Sequence, residues 1–486
     1  MLDLLANCWK IPELRKRIIF TMALLFLCRV AATVPCPGID ADQLGLLFKM
    51  IEKSAGSAGD QLAFGLNIFT GGALSKFAVA TLGIMPYITA SIIIQVLTPA
   101  LPALQKLKRD GESGFQKINQ LTRYLTLIVC AVQGYFVAVV MQNPGQLIQG
   151  AENLKIVTNP GVEFQIMTVI IVTCGTMILM WLGEQITEKG IGQGASLIIT
   201  VGIIEQLPTA CMSVYSKMRS SGDDNLTIVH VILLIVLFIL VTAAVVAISL
   251  AVRRIPIQYA RARATKSSMG NRSQASYFPL KVNYAGVMPI IFASALLMVP
   301  SLLIRFFSQS QVSLIADWRD AGYFKWILNN SGIFDYGTSG YMMLYAAMIL
   351  GFCFFWVASQ FNPSQVADDL NRSGAFVPGY RAGEETAKHI DWTMTRVTTA
   401  GAIFLTIISV LPMIFNNMSG SALSFSVANF FGGASLLIIV SVMLDTCQHI
   451  HTHIITYGGY EEQSLRRQRR RGHGEDPGDA PVVPSE

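Results

Sequence analysis

Long apolar runs alternate with short polar stretches along nearly the whole chain. Ten runs are long enough to cross a bilayer: 18–36, 80–99, 121–141, 164–183, 194–215, 228–251, 284–307, 341–360, 396–416 and 430–447. Each approaches the ~20 residues that a hydrocarbon core of about 30 Å requires of a helix. The pattern predicts an all-α polytopic membrane protein with ten transmembrane helices. One segment breaks the rhythm. Residues 67–78, "NIFTGGALSKFA", are apolar but broken by Gly71, Gly72, Ser75 and Lys76, directly before the second run. Ten helical residues reach only ~15 Å. Half-spans persist in a membrane only where protein covers their backbone. A short re-entrant helix, then a full helix opened by Gly83 and Pro86, fits better than one long helix. The alternative is an interfacial loop helix.

Composition agrees. Of the 486 residues 52% are hydrophobic and only 14% charged, with mean hydropathy +0.50. Soluble chains carry about 25% charged residues. The first run follows Arg15, Lys16 and Arg17, as a signal peptide would, but nine more spans follow, so it reads as an uncleaved helix. Basic residues set the orientation. With the N-terminus in the cytosol, and span-edge arginines counted with their loops, the cytosolic segments hold 26 of the 36 Lys and Arg. The opposite side holds nine, and Arg29 lies within the first span. That asymmetry places both termini in the cytosol. The net charge of +6 then points to an acidic leaflet or a cytosolic partner rather than to nucleic acid.

Five spans precede Ser216–Asn225 and five follow. An odd number makes the second group start from the opposite face, as an inverted repeat requires. The expected division is an N-terminal half (1–215), a hinge loop (216–227), a C-terminal half (228–460) and a cytosolic tail (461–486). The tail is basic, then acidic and proline-rich, a composition that cannot build a core.

Several features invite chemistry and are better read otherwise. "GIGQG" (Gly190–Gly194) lacks both the GxGxxG spacing and the preceding strand of a nucleotide loop. His449, His451 and His453 cluster, but zinc needs further ligands. The eight cysteines form no CxxC pair. No nucleophile–base pair has usable spacing, which argues against an enzyme. A secondary carrier is the rival class, because carriers also use inverted repeats and broken helices. Their ionisable groups sit near the midplane; here Arg29, Glu184, Glu205 and Asp445 lie toward span ends. A membrane scaffold without conductance is a third class.

At this point the residues are recognisable. "FTGGALSKFAVATLGIMPYITASIIIQVL", "RVAATVPCPGID", "RDGESGFQKINQLTRYLTL", "MWLGEQITEKGIGQGASLII", "RRIPIQYARA", "FPLKVNYAGVMPIIFAS", "FNPSQVADDLNRSGAFVPGYRAGEETAKHIDWTMTRVT" and "FGGASLLIIVSVMLD" resemble, in order, segments of the SecY family of protein-conducting channels. The resemblance covers roughly residues 12 to 460. It implies a clamshell of two five-helix halves around an hourglass channel. An aliphatic ring of Ile84, Ile88, Ile199, Ile291 and Ile438 would constrict it, with Ala195 where the family often has a further aliphatic residue. Asn67, Phe69, Gly71, Gly72, Leu74 and Ser75 would belong to a plug helix, packed in the ring and weakly held. Thr89, Gln133 and Asn283 would line a lateral gate, where buried polar groups seek partners across the helix interface. Arg253, Arg254 and Arg381 would dock a motor or the ribosome, on a loop where Ala382 replaces a common proline.

The resemblance also implies partners: the SecE and SecG subunits, the SecA motor ATPase, the ribosome, signal peptides and nascent chains, and membrane lipid. No cofactor is implied, and no nucleic acid other than ribosomal RNA. The implied setting is the bacterial cytoplasmic membrane.

Overall fold

The computed structural model describes residues 11–53, 70–142, 144, 154–219, 228–259, 276–294, 296–297, 338–418 and 434–472. Within them, helical structure occurs in every one of the ten apolar runs. The helices are α1 (Pro12–Ala31), α2 (Ala41–Lys53), α3 (Met85–Ala100), α4 (Pro102–Arg109), α5 (Glu112–Gln142), α6 (Val162–Lys189), α7 (Gly194–Glu205), α8 (Leu207–Arg219), α9 (Ile228–Leu250), α10 (Ser339–Gln360), α11 (Pro363–Arg372), α12 (Glu384–Met418) and α13 (Ala434–Gly472). Residues 288–294 add a helical piece of the seventh run. Six helical stretches among the described residues are long and apolar enough to span a membrane, seven if α3 and α4 count as one.

Their surfaces show where the lipid lies. An 18-residue stretch within Val231–Leu250 has mean hydropathy 3.4, yet only 17% of it is buried in the protein. In water such a face would be costly; in a bilayer it is the favoured surface. Buried positions gather instead into several clusters, of which one is much the largest. It draws on α1, α3, α6, α7, α9, the 288–294 helix, α10, α12 and α13.

The second span does not run straight. α3 and α4 meet at a bend of 103°. Pro102 supplies the cause: it disfavours helical backbone at Leu101, which sits at φ −104°, ψ 113°. The expected short helix before α3 takes another form. Residues 70–84 are a succession of turns, and α3 begins only at Met85, with Ile84 as its N-cap. Gly71, Gly72, Gly83 and Phe77 all have positive φ there, which interrupts any regular helix. Residues 67–69 lie outside the described residues.

The apolar pattern predicted no strands, because it was read for spans. Two loops nevertheless form a sheet of order β2-β1-β3, from β1 (Val252–Tyr259), β2 (Ser276–Lys281) and β3 (Ala375–Phe376). β1 runs antiparallel to both neighbours, pairing Ile255 with Phe278 and Gln258 with Phe376. Along "IPI" burial alternates with period two: Ile255 and Ile257 are buried and Pro256 is exposed. These isoleucines pack with Leu280, Val377, Ile390 and Met394, so the sheet rests on the first turns of α12.

Leu280→Ala should therefore loosen the sheet locally. Loss of a buried leucine costs about 2–5 kcal/mol. Hydrogen exchange should accelerate at β1 and β2 amides while α5 amides keep their protection; unchanged exchange at β1 would show that this small core does not hold the sheet.

Candidate functional site

The five isoleucines expected to form a ring all lie in the largest buried apolar cluster. Ile84, Ile88, Ile199, Ile291 and Ile438 are all buried and belong to the same apolar cluster. They arrive from four places: the N-cap and first turn of α3, the middle of α7, the 288–294 helix, and the first turn of α13. Ile84 and Ile88 are joined by a backbone hydrogen bond, with Ile88 N–H donating to Ile84 O at 3.2 Å. Ala195 lies half-buried against the same cluster.

The segment before α3 packs differently from expectation. Leu74 and Phe77 enter a separate cluster with Cys36, Leu44, Ala138 and Phe164. Ala73, Ala78 and Ala80 pack with Cys28, Leu179 and Leu182. Those partners come from α1, α2, α5, α6 and the turn after α1, not from the isoleucine cluster. The hold is also partly polar. Cys36 N–H donates to Phe77 O at 2.9 Å and Val79 N–H to Val34 O at 2.8 Å. The Ser75 hydroxyl donates to Gly72 O at 2.7 Å. Sequence periodicity could not show this, because a turn segment has no repeating face. Asn67 and Phe69 lie outside the described residues.

The three gate positions do not bond to one another. The Thr89 hydroxyl turns back to Met85 O at 3.1 Å, within its own helix. Gln133 is half-buried on α5. The Asn283 Oδ1 is buried and has no hydrogen-bond partner. A hydroxyl satisfies itself on the preceding turn more readily than across a seam.

The basic positions are brought near one sheet. Arg253 and Arg254 are exposed on β1, and the Arg254 guanidinium lies 4.6 Å from the centre of the Tyr277 ring. Arg381 is exposed in the turn before α12. Its backbone is fixed: its N–H donates to Glu385 Oε2 at 3.1 Å, and its carbonyl accepts from the Thr386 hydroxyl at 2.8 Å.

Two ion pairs were not foreseen. Arg123 on α5 meets Glu184 on α6 with two parallel bonds, Nε to Oε1 at 3.0 Å and Nη2 to Oε2 at 2.6 Å. Arg29 on α1 pairs with Glu205 on α7. The available signal was charge of both signs within or beside apolar runs, which calls for partners. The other noted charge, Asp445, lies 3.7 Å from His449. Burial, with Arg17 and His449 nearby, holds the His453 imidazole below its ordinary range. Among the described residues no three metal-capable side chains converge. "GIGQG" forms the turn from α6 to α7, where Gly194 N–H donates to the Thr187 hydroxyl at 2.9 Å.

With this geometry in place, comparison with known proteins is informative. The SecY family model matches residues 78–447. The protein translocase subunit SecY of Escherichia coli K12 is 40% identical over 467 residues, covering 95% of this chain and 96% of that one. The chain belongs to the SecY family. Two solved structures share the fold. One, described as a protein-conducting channel, superposes with TM-score 0.58 at 16% identity, covering 96% of this chain and 94% of that one. The other concerns the plug domain of SecY, said to stabilise the closed state of the translocation channel and maintain a membrane seal. It gives TM-score 0.56 at 18% identity, with the same coverage. The chain is thus a multi-span membrane protein of the SecY family, and its 40% identical relative extends beyond both ends of the matched family region.

Asn283→Leu should raise thermal stability in detergent, because it removes a buried acceptor without a partner; such a group costs about 1–3 kcal/mol. A lowered midpoint would show that the amide is satisfied in the folded protein.

Proposed function

We propose that the chain is the channel subunit of a protein translocase. It passes unfolded secretory proteins across a bacterial cytoplasmic membrane and releases apolar helices sideways into lipid. One observation carries the reading: five isoleucines from four separate elements belong to one buried apolar cluster of a SecY-family chain. A collar of this kind suits a channel for unfolded chains. Aliphatic contacts are non-directional, so they accept any side chain that passes. A narrow apolar constriction also excludes ions by dewetting. Because the residues come from different helices, the opening widens as the helices separate.

The turn segment over 70–84 is the plug in this reading, and Thr89, Gln133 and Asn283 lie along the lateral gate. With both termini in the cytosol, as the distribution of basic residues favours, the β-sheet and the turn around Arg381 face the cytosol. Arg253, Arg254 and Arg381 there offer exposed guanidinium groups to a carboxylate-bearing motor such as SecA, or to the ribosome. SecE and SecG complete the complex. The chain itself performs no catalysis; motor or ribosome supplies the work. A carrier reading is weaker, since Arg29, Arg123, Glu184 and Glu205 are already engaged in pairs.

Replacing Ile88 and Ile291 together with Ser should wet the constriction. The double variant should pass a resting ion current in planar bilayers where the wild type is nearly silent. Equal tightness would remove the collar assignment. Arg381→Glu should block motor-driven translocation into reconstituted vesicles while protein level and SecE association stay unchanged. A normal export rate would rule out its docking role.

A further inference from the structure

Glu205 is a poorly placed acid by local rules. It is the last residue of α7, where the helix dipole disfavours negative charge. It also lies within an apolar run, where a lone carboxylate is costly. Arg29, in the last turn of α1, answers both problems. α1 and α7 run the same way: Ile191 N–H, just before α7, donates to the Thr21 hydroxyl in the first half of α1. Their C-terminal ends therefore lie together, and Arg29 pairs with Glu205. The side chains are 23% and 38% exposed, so water only partly screens the pair.

A guanidinium has five donors, more than one carboxylate uses. Arg29 Nη2 also donates to Gly71 O at 3.1 Å. Gly71 is the second residue of the described turn segment and has φ +63°. A Cβ on it would fall 2.7 Å from the Gly202 Cα, one turn before Glu205. The segment thus meets α7 backbone to backbone at the point where Arg29 grips it. Beside this contact lies a cavity of about 20 Å³, lined in part by Arg29, Thr70, Ile84, Ile199 and Gly202. The grip is adjacent to two residues of the constriction.

We propose that Arg29 and Glu205 form a charge latch on the turn segment. The pair orients the guanidinium, the guanidinium holds the Gly71 carbonyl, and Gly71 stays seated on Gly202 beside the constriction. For the segment to leave, Arg29 must release that carbonyl. The backbone bonds at Phe77 and Val79 hold the far end and are independent of the latch. The role rests on the channel reading above.

The test is resting ion conductance of the purified full-length complex in planar bilayers. Arg29→Gln and Glu205→Gln should each raise it several-fold over wild type. The Arg29→Gln/Glu205→Gln double variant should leak no more than the worse single variant, because both act through one pair. The swap Arg29→Glu/Glu205→Arg restores an ion pair but should stay leaky, because a carboxylate at position 29 cannot donate to the Gly71 carbonyl. Single variants as tight as wild type, alongside a leaking Ile88→Ser/Ile291→Ser channel, would overturn the latch and leave the channel reading standing. A swap as tight as wild type would also overturn it, because the seal would then need the ion pair but not the grip on the Gly71 carbonyl. If the serine variant were tight and no protein were translocated, the channel reading would fall and the latch with it. Where the charge variants do not accumulate, Gly71→Ala decides. It keeps both charges, but its Cβ would fall 2.7 Å from both Arg29 Nη1 and the Gly202 Cα and so displaces the grip together with the seat; a several-fold leak supports the latch and a tight channel overturns it.

Discussion

Aliphatic contact at the centre of the molecule is the interaction on which the rest depends. Ile84, Ile88, Ile199, Ile291 and Ile438 join elements far apart in the chain through contacts that have no preferred direction. Such contacts seal well and separate without leaving unsatisfied polar groups. A polar seam at the same place would hold the helices by directed bonds and bind some passing side chains while repelling others. The exposed outer faces of helices such as α9 follow from the same economy of apolar surface, because lipid covers what the core does not.

Directed interactions are placed around that centre. The turn segment is held by backbone bonds to the turn after α1 and by Arg29 at Gly71. Arg123 and Glu184 tie α5 to α6 with a forked pair. The segment's two apolar anchors, Leu74 and Phe77, pack on α2, α5 and α6 and not in the cluster that holds the isoleucines, whereas its Gly71 end lies beside Ile84 and Ile199.

The sheet does for the loops what the isoleucine cluster does for the spans. β1 and β2 belong to the loop after α9, and β3 to the loop after α11. Pairing Gln258 with Phe376 couples two loops more than a hundred residues apart in sequence. Packing of Ile255 and Ile257 against Ile390 and Met394 then sets the coupled loops on α12. Arg253, Arg254 and Arg381 are presented from this one support.

Much of this was legible from the chain alone. Run length and low charge specified the helices, because a bilayer demands ~20 apolar residues from any span. Motif order singled out the five isoleucines, and all five are buried members of one large apolar cluster. Local chemistry at Gly83 and Pro86 marked where α3 starts. What the chain could not disclose depends on partners distant in sequence. No periodicity announces that Arg29 meets Glu205, that the expected short helix is a set of turns resting on α2, α5 and α6, or that two polar loops pair as strands. Thr89 and Asn283 make the same point: whether a polar group bonds across a seam or to its own helix depends on the atoms opposite it. Helix formation is local, since each backbone bond closes within four residues. Packing, ion pairing and strand pairing are not local, and only the tertiary structure decides them.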